Sequence, residues 1–230
     1  MALLMIPGYM LDAELWLEVE PALAHYGPIV HADLAQDNSI TAMARRAIAS
    51  APSEFILIGF SMGGYVAREI ARQVPERVKG LILIATSARG DSDIQVNRRA
   101  PVTHQNAPEA FKGLSRAAIN SSLHPNNADR DDLISSIQAM NLRIGYAAFE
   151  RQSLLVRHDE RGELGTIKCP CLIIAGEQDR LRSRAEAIEL HQGLAKSTFA
   201  VIEGAGHMVP LEAPRLLTKT ILDWLSKLSH

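Results

Sequence analysis

Glu54-Phe55-Ile56-Leu57-Ile58-Gly59-Phe60-Ser61-Met62-Gly63-Gly64-Tyr65-Val66-Ala67-Arg68-Glu69-Ile70 is the stretch on which the fold turns. It opens with a short unbroken apolar run, the pattern of a strand buried on both faces, and closes with a segment of helical periodicity. Between them lies Gly59-Phe60-Ser61-Met62-Gly63, the G-x-S-x-G pattern that marks a nucleophile elbow when it joins a strand to a helix. The turn is so tight that side chains at positions 59 and 63 would strike neighbouring backbone, and the nucleophile itself is held in a strained conformation. Gly64 gives further room for the helix to approach the strand. Ser61 then stands at a helix amino terminus, where N–H groups and the helix dipole favour developing negative charge. A phosphate-binding turn is the competing reading. Against it, no Lys-Ser/Thr follows and G-x-G-x-x-G is not matched.

Working outward, further apolar runs of strand length occur at 3–6, 28–32, 81–85, 172–175 and 199–202. Helical stretches are expected at 14–26, 40–49, 64–74, 184–193 and 215–228, with Pro21 bending or ending the first of them. This alternation predicts a doubly wound, mostly parallel sheet of about six strands flanked by helices. One region breaks it. From Ser87 to about Gly165 no central strand is evident, but helical periodicity recurs at 107–119 and 131–149. So long a connection inside a compact domain is more often a functional lid than a loop. The expected organisation is therefore a core of residues 1–86 and 166–230 with a helical cap at 87–165.

The whole-chain numbers bound the function. With 230 residues, 47% of them hydrophobic and 22% charged, the chain has the composition of a globular protein with a substantial core. Its 24 basic and 26 acidic residues leave a net charge of −2, which provides no basic footprint for nucleic acid. Cys169 and Cys171 flank Pro170 at a spacing unsuited to a C-x-x-C redox or zinc motif, so they read as reduced thiols and no metal is implied. No run reaches the length of a membrane span and no signal-peptide pattern opens the chain, so a cytoplasmic, membrane-independent protein is expected.

A serine nucleophile needs a base. Of the eight histidines, His207 stands out, because it follows the last strand in Gly204-Ala205-Gly206-His207-Met208-Val209-Pro210. Loops at the carboxyl ends of parallel strands are where catalytic groups gather in open α/β sheets. The base in turn needs a carboxylate to fix its tautomer and stabilise the imidazolium. Gly176-Glu177-Gln178-Asp179 follows the fifth strand and offers two. Asp179 is favoured because the extra residues carry it off the strand end toward His207, whereas Glu177 is expected to cap or pair locally.

With Ser61, Asp179 and His207 in this chain order, the sequence resembles the α/β-hydrolase fold enzymes, specifically the small bacterial esterases and lactonases, over nearly its whole length. Pro7-Gly8-Tyr9 followed by Trp16 resembles the family's HG-x7-W element. That likeness implies an oxyanion hole made by the backbone N–H groups of Tyr9 and Met62. Pro7 replaces the usual histidine. Because the donors are backbone groups of later residues, the hole is expected to survive, with the loop's support left open. Family members commonly carry a strand hairpin before this element; here only Met1 to Ile6 precede it, which predicts a shorter, wholly parallel sheet. The strand at 3–6 becomes a candidate edge or near-edge strand, open to pairing with a partner chain.

The resemblance implies hydrolysis of a small carboxylic ester or lactone through an acyl-enzyme, without a cofactor, by a monomer or homodimer. Phe60, Phe111, Met140 and Tyr146 are the substrate-binding candidates, and His124 and Arg143 the polar residues of the cap, each with a surface position as its plainer reading. The near-neutral charge suits a neutral, largely apolar ester. Three alternatives remain at this point: a C–C bond hydrolase or perhydrolase using the same three residues, a ligand-binding receptor on a hydrolase scaffold, and a structural interaction protein. A haloalkane dehalogenase or epoxide hydrolase would need aspartate where Ser61 stands.

Overall fold

The apolar runs form one parallel sheet in a computed structural model that describes residues 1–92 and 111–228. Its strands are β1 (Ala2–Ile6), β2 (Ile29–His31), β3 (Phe55–Phe60), β4 (Val78–Ile84), β5 (Cys171–Gly176) and β6 (Ser197–Ile202). They lie in the order β2-β1-β3-β4-β5-β6, and every pairing is parallel. Because successive side chains point to opposite faces, the central strands feed two apolar layers. Leu3, Met5, Ile56, Ile58 and Phe60 face one, together with Leu217, Ile221 and Trp224 of the C-terminal helix. Leu4, Ile6, Phe55 and Leu57 face the other, with Met43, Val66 and Ile70.

The helices are α1 (Glu20–Leu23), α2 (Ile40–Ser50), α3 (Met62–Gln73), α4 (Arg116–Ser122), α5 (Asp131–Ile144), α6 (Tyr146–Ser153), α7 (Arg184–Gly193), α8 (Val209–Glu212) and α9 (Pro214–Leu228). Four expectations change. The helix expected at 14–26 is broken into α1 between two 3-10 turns, at 13–16 and 24–26, with Pro21 in the first turn of α1, where a missing N–H costs nothing. The helix expected at 131–149 is divided at Gly145, whose φ of 80° ends α5 before α6 begins. Of the stretch at 107–119, residues 107–110 lie outside the described residues, and the helix begins only at Arg116, capped by the Ser115 hydroxyl. Finally, β1 is one position in from the edge, paired with β2 on one side and β3 on the other, so it has no free edge for a partner chain; β2 and β6 are the edge strands.

Register positions the site. Ile6 pairs with Gly59, Phe60 with Ile84, and Gly176 with Ile202, so the loops after β1, β3, β5 and β6 leave the sheet at the same edge. The chain leaves β1 toward β2 and β3 toward β4 in opposite directions, which opens a crevice between the ends of β1 and β3. The described part of the β4–β5 connection contains α4, α5 and α6, joined by irregular stretches.

Candidate functional site

At the carboxyl end of β3, Ser61 adopts φ 51° and ψ −114°, a conformation that costs a non-glycine residue about 1–3 kcal/mol and persists only where its surroundings over-determine it. They do so here. The Ser61 N–H donates to Ile84 O at 2.9 Å, and the Thr86 hydroxyl donates to Ser61 O at 2.7 Å. A Cβ at position 59 would lie 2.6 Å from Gly63 O, and one at position 63 would collide with the carbonyls of Pro7 and Ile6. Both glycines of the elbow are therefore required by close backbone approach.

Ser61 Oγ lies 2.9 Å from His207 Nε2, and His207 Nδ1 lies 2.8 Å from Asp179 Oδ2. The imidazole is 7% exposed and the Asp179 side chain 1%, so water hardly competes for these contacts. The other Asp179 oxygen accepts the N–H groups of Leu181 and Arg182, each at 2.8 Å, which aims the carboxylate at the ring. With Asp179 accepting from Nδ1–H, Nε2 is left as the acceptor for the Ser61 hydroxyl. Glu177 is exposed and accepts from the Gly204 N–H at 2.9 Å, pairing locally.

Tyr9 lines the same cavity as Ser61, and Met62 follows Ser61 directly. Met62 is the first residue of α3, and among the described residues neither its N–H nor that of Tyr9 donates to another group. The question of support beside Pro7 has an answer in the β4–β5 connection. Met10, at a positive φ of 56°, donates its N–H to Gln152 Oε1 at 2.8 Å, and its carbonyl accepts from Asn141 Nδ2 at 2.9 Å. The Tyr9 hydroxyl meets Ser153 Oγ at 2.6 Å, and burial pushes this phenol's pKa up, keeping it neutral. Gln152 and Asn141 are buried, and through their bonds to Met10 they brace the loop after β1.

A cavity of about 270 Å³ opens on Ser61 and His207. Phe60 lines it, as expected; Phe111, Met140 and Tyr146 do not. Met140 is fully buried in the apolar core cluster. Phe111 and Tyr146 instead join Phe149 in an aromatic cluster with centroid separations of 5.1–6.2 Å. The apolar wall is made by Leu11, Leu114, Ile119 and Ile137. His124 is neither at the surface nor in the cavity: it is 4% exposed, and its Nδ1 accepts from the Asn126 N–H. Arg143 pairs with Asp12 and Glu14 outside the cavity.

Sequence reasoning missed the residues that hold these groups. Glu212 accepts from the N–H groups of Gly206, Met208 and His124 at 2.9, 3.1 and 2.6 Å and from Asn127 Nδ2 at 2.9 Å. His207 donates its own N–H to Ser122 O at 2.8 Å. The sole signal for Glu212 was a carboxylate in the first helical turn after His207. Arg68 is fully buried, and its Nε donates to Glu160 Oε2 at 2.7 Å and its Nη2 to Ser87 O at 2.8 Å. Burial lowers its pKa, with Glu160 opposing. Two further guanidiniums, Arg157 and Arg182, line the cavity. No cluster of three or more His, Cys, Asp or Glu suited to a metal occurs among the described residues, and both cysteines are free thiols.

A family model described as serine aminopeptidase, S33, matches residues 30–214. The chain belongs to this family of α/β-hydrolases. It is similar to the pimeloyl-[acyl-carrier protein] methyl ester esterase of Yersinia pseudotuberculosis, at 27% identity over 96% of this chain and 92% of that one. The biotin biosynthesis bifunctional protein BioHC of Cellvibrio japonicus is 24% identical over 99% of the chain, which spans 48% of that longer protein. Among solved structures, a thermophilic esterase from Thermogutta terrifontis, determined with malate bound, superposes with a TM-score of 0.85 at 26% identity, covering 99% of this chain and 90% of that one. The topology accords with that membership: the loops that carry Ser61, Asp179 and His207 leave one sheet edge. No helix among the described residues is long and apolar enough to cross a membrane.

Proposed function

We propose that this α/β-hydrolase cleaves small carboxylic esters, lactones among them, through an acyl-enzyme on Ser61. The observation that carries the reading is the continuous relay from Ser61 Oγ to His207 at 2.9 Å and on to Asp179 at 2.8 Å, beside two uncommitted backbone amides. Relatives named as esterases support the ester as the reacting group. In this mechanism Ser61 Oγ attacks the carbonyl carbon while its proton passes to His207 Nε2. The carbonyl oxygen becomes an oxyanion held by the Tyr9 and Met62 N–H groups, with α3 directing its amino terminus at the charge. As the tetrahedral intermediate collapses, His207 gives the proton to the leaving alcohol, or to the ring-opened hydroxyl of a lactone. Water, deprotonated by the same imidazole, then releases the acid. Asp179 holds the ring and offsets its charge. Residues 87–165 act as the lid, and Leu114, Ile119 and Ile137 supply an apolar wall for a short acyl chain. A cavity of about 270 Å³ suits such a ligand rather than a long lipid.

A fluorophosphonate probe tests the nucleophile. Stoichiometric labelling and turnover of p-nitrophenyl butyrate are expected, and both should vanish in Ser61→Ala. Undiminished labelling of the variant would place the nucleophile elsewhere.

A further inference from the structure

Arg157 and Arg182 line the cavity, and among the described residues no Asp, Glu or Lys does. Asp179 sits behind His207, with both oxygens already committed. The two arginines differ in how they are balanced. Arg157 is paired at close range, its Nη2 2.6 Å and its Nε 2.7 Å from Asp91 Oδ1. Arg182 has a looser partner. Its Nη1 stands 3.5 Å from Glu186 Oε1, beyond a normal hydrogen bond, while the other Glu186 oxygen is occupied by the Ser183 N–H and hydroxyl. Both guanidiniums are held against one aromatic platform, with Arg157 5.9 Å and Arg182 6.0 Å from the Tyr65 ring centroid, and the phenol itself is anchored to Arg89 O. The Arg182 side chain is 14% exposed, so its charge acts through a site with little water. Its backbone N–H fixes Asp179, which ties this cation to the catalytic end of the cavity.

We propose that Arg182, backed by Arg157, forms an anion subsite in the Ser61 cavity, so that the preferred ester carries a second, free carboxylate. The inference rests on the ester-hydrolase reading and narrows it. A guanidinium presents paired N–H groups that match a carboxylate in two places, and a partly desolvated fork discriminates strongly against a ligand that leaves it empty. A single negative charge suits one loosely balanced guanidinium. A phosphate monoester brings nearly two charges and would need Arg157 released from Asp91. The apolar lining of Leu11, Leu114, Ile119 and Ile137 then takes the methylene spacer between acid and ester.

The test compares esters matched in length. On the acyl side, p-nitrophenyl hydrogen glutarate is set against p-nitrophenyl pentanoate; on the alcohol side, 4-acetoxybutanoate against butyl acetate. At least one anionic member should be favoured by about 10-fold or more in kcat/KM, largely through KM, and this ratio should collapse toward one in Arg182→Gln. Arg182→Lys, which keeps the charge without the fork, should fall between. No preference in either wild-type pair, or a preference that survives Arg182→Gln, overturns the proposal. So does a stronger preference for the phosphate monoester of 4-hydroxybutyl acetate, which would make the site a phosphate site. If no ester is cleaved and Ser61 resists the fluorophosphonate, the parent reading fails instead. The subsite is then judged by calorimetry on Ser61→Ala: glutarate binding more tightly than neutral glutaramide supports it, and equal binding refutes it.

Discussion

Glu212 offers the sharpest test of how the site is held, because one carboxylate serves both the loop that carries His207 and the connection that carries Ser122. Its Oε1 accepts from Gly206 and Met208, the residues on either side of His207, and its Oε2 from His124 and Asn127. In Glu212→Gln one oxygen becomes an amide nitrogen, so one of these two pairs of donors faces another donor whichever way the group turns. Two charge-assisted hydrogen bonds at about 1.5 kcal/mol each give a loss of about 3 kcal/mol, and for a chain of this size a fall in Tm of about 6–12 °C. The consequence for catalysis is separate. A His207 loop released by about 1 Å no longer keeps the 2.9 Å contact with Ser61 Oγ, and misplacement on that scale costs about 100-fold in rate. The assay is kcat and KM for p-nitrophenyl butyrate, at a temperature where circular dichroism shows the variant folded. The expected result is a kcat lowered by 10- to 100-fold with KM nearly unchanged. If Tm falls while kcat stays within twofold, Glu212 holds the fold without positioning His207; if neither moves, the geometric reasoning is wrong.

Asp179→Asn should lower kcat by about 10⁴-fold with the fold retained, because the amide favours the wrong imidazole tautomer; a near-normal rate would transfer the role to another carboxylate. Glu160→Ala should cost about 3–5 kcal/mol in urea unfolding, since it leaves the fully buried Arg68 guanidinium without its counter-charge, and a loss under about 1 kcal/mol would mean that water reaches Arg68. At the start of α7, burial raises the pKa of Glu186, but hydrogen bonds from Ser183 and Ser87 and the charge of Arg182 outweigh it, so the folded value lies below the ordinary one. Its stabilisation is then complete above the unfolded glutamate range, near pH ~4.3, and is lost as pH falls through the lower folded value. The Tm gap between wild type and Glu186→Gln should accordingly be widest at neutral pH and close on acidification; a gap that widens in acid would reverse the assigned direction.

What the sequence made legible follows from how local each constraint is. The elbow could be read because its geometry is imposed within five residues: Gly59 and Gly63 are there because backbone occupies the space a Cβ would need. Asp179 and His207 were legible because each follows an apolar strand by a few residues, and parallel strands deliver their following loops to one edge. The divided helices lost definition for equally local reasons, in Gly145 and in the Pro21 turn. The lining of the cavity was another matter. Ile137 and Met140 are both apolar, one turn apart on α5 and buried in the same core cluster, yet of the two Ile137 alone also lines the cavity. Periodicity reports that a face is apolar, and it is blind to whether that face meets packed side chains or an enclosed void. The braces are subject to the same limit. Nothing near Asn141 or Gln152 in the sequence signals a contact with Met10, more than 130 residues away.

The electrostatics carry this distinction furthest. A net charge of −2 from 24 basic and 26 acidic residues made a neutral ester the natural expectation, but that balance is a sum over the whole chain. A number of those charges are exposed and paired in water, as in Arg116 with Asp131 or Lys219 with Asp223, where screening leaves each pair little influence at a distance. The charges that act on a bound ligand are the few that face a low-dielectric cleft, because its walls concentrate their field. Arg157 and Arg182 face this one without an acid among the described lining residues, and each is held there by contacts to other parts of the fold: Asp91 for the first, Glu186 for the second, and Tyr65 for both. The proposed charge selectivity would thus arise in the step from sequence to packing, since a chain close to neutrality can still line one cavity with two arginines and no acid among its described residues.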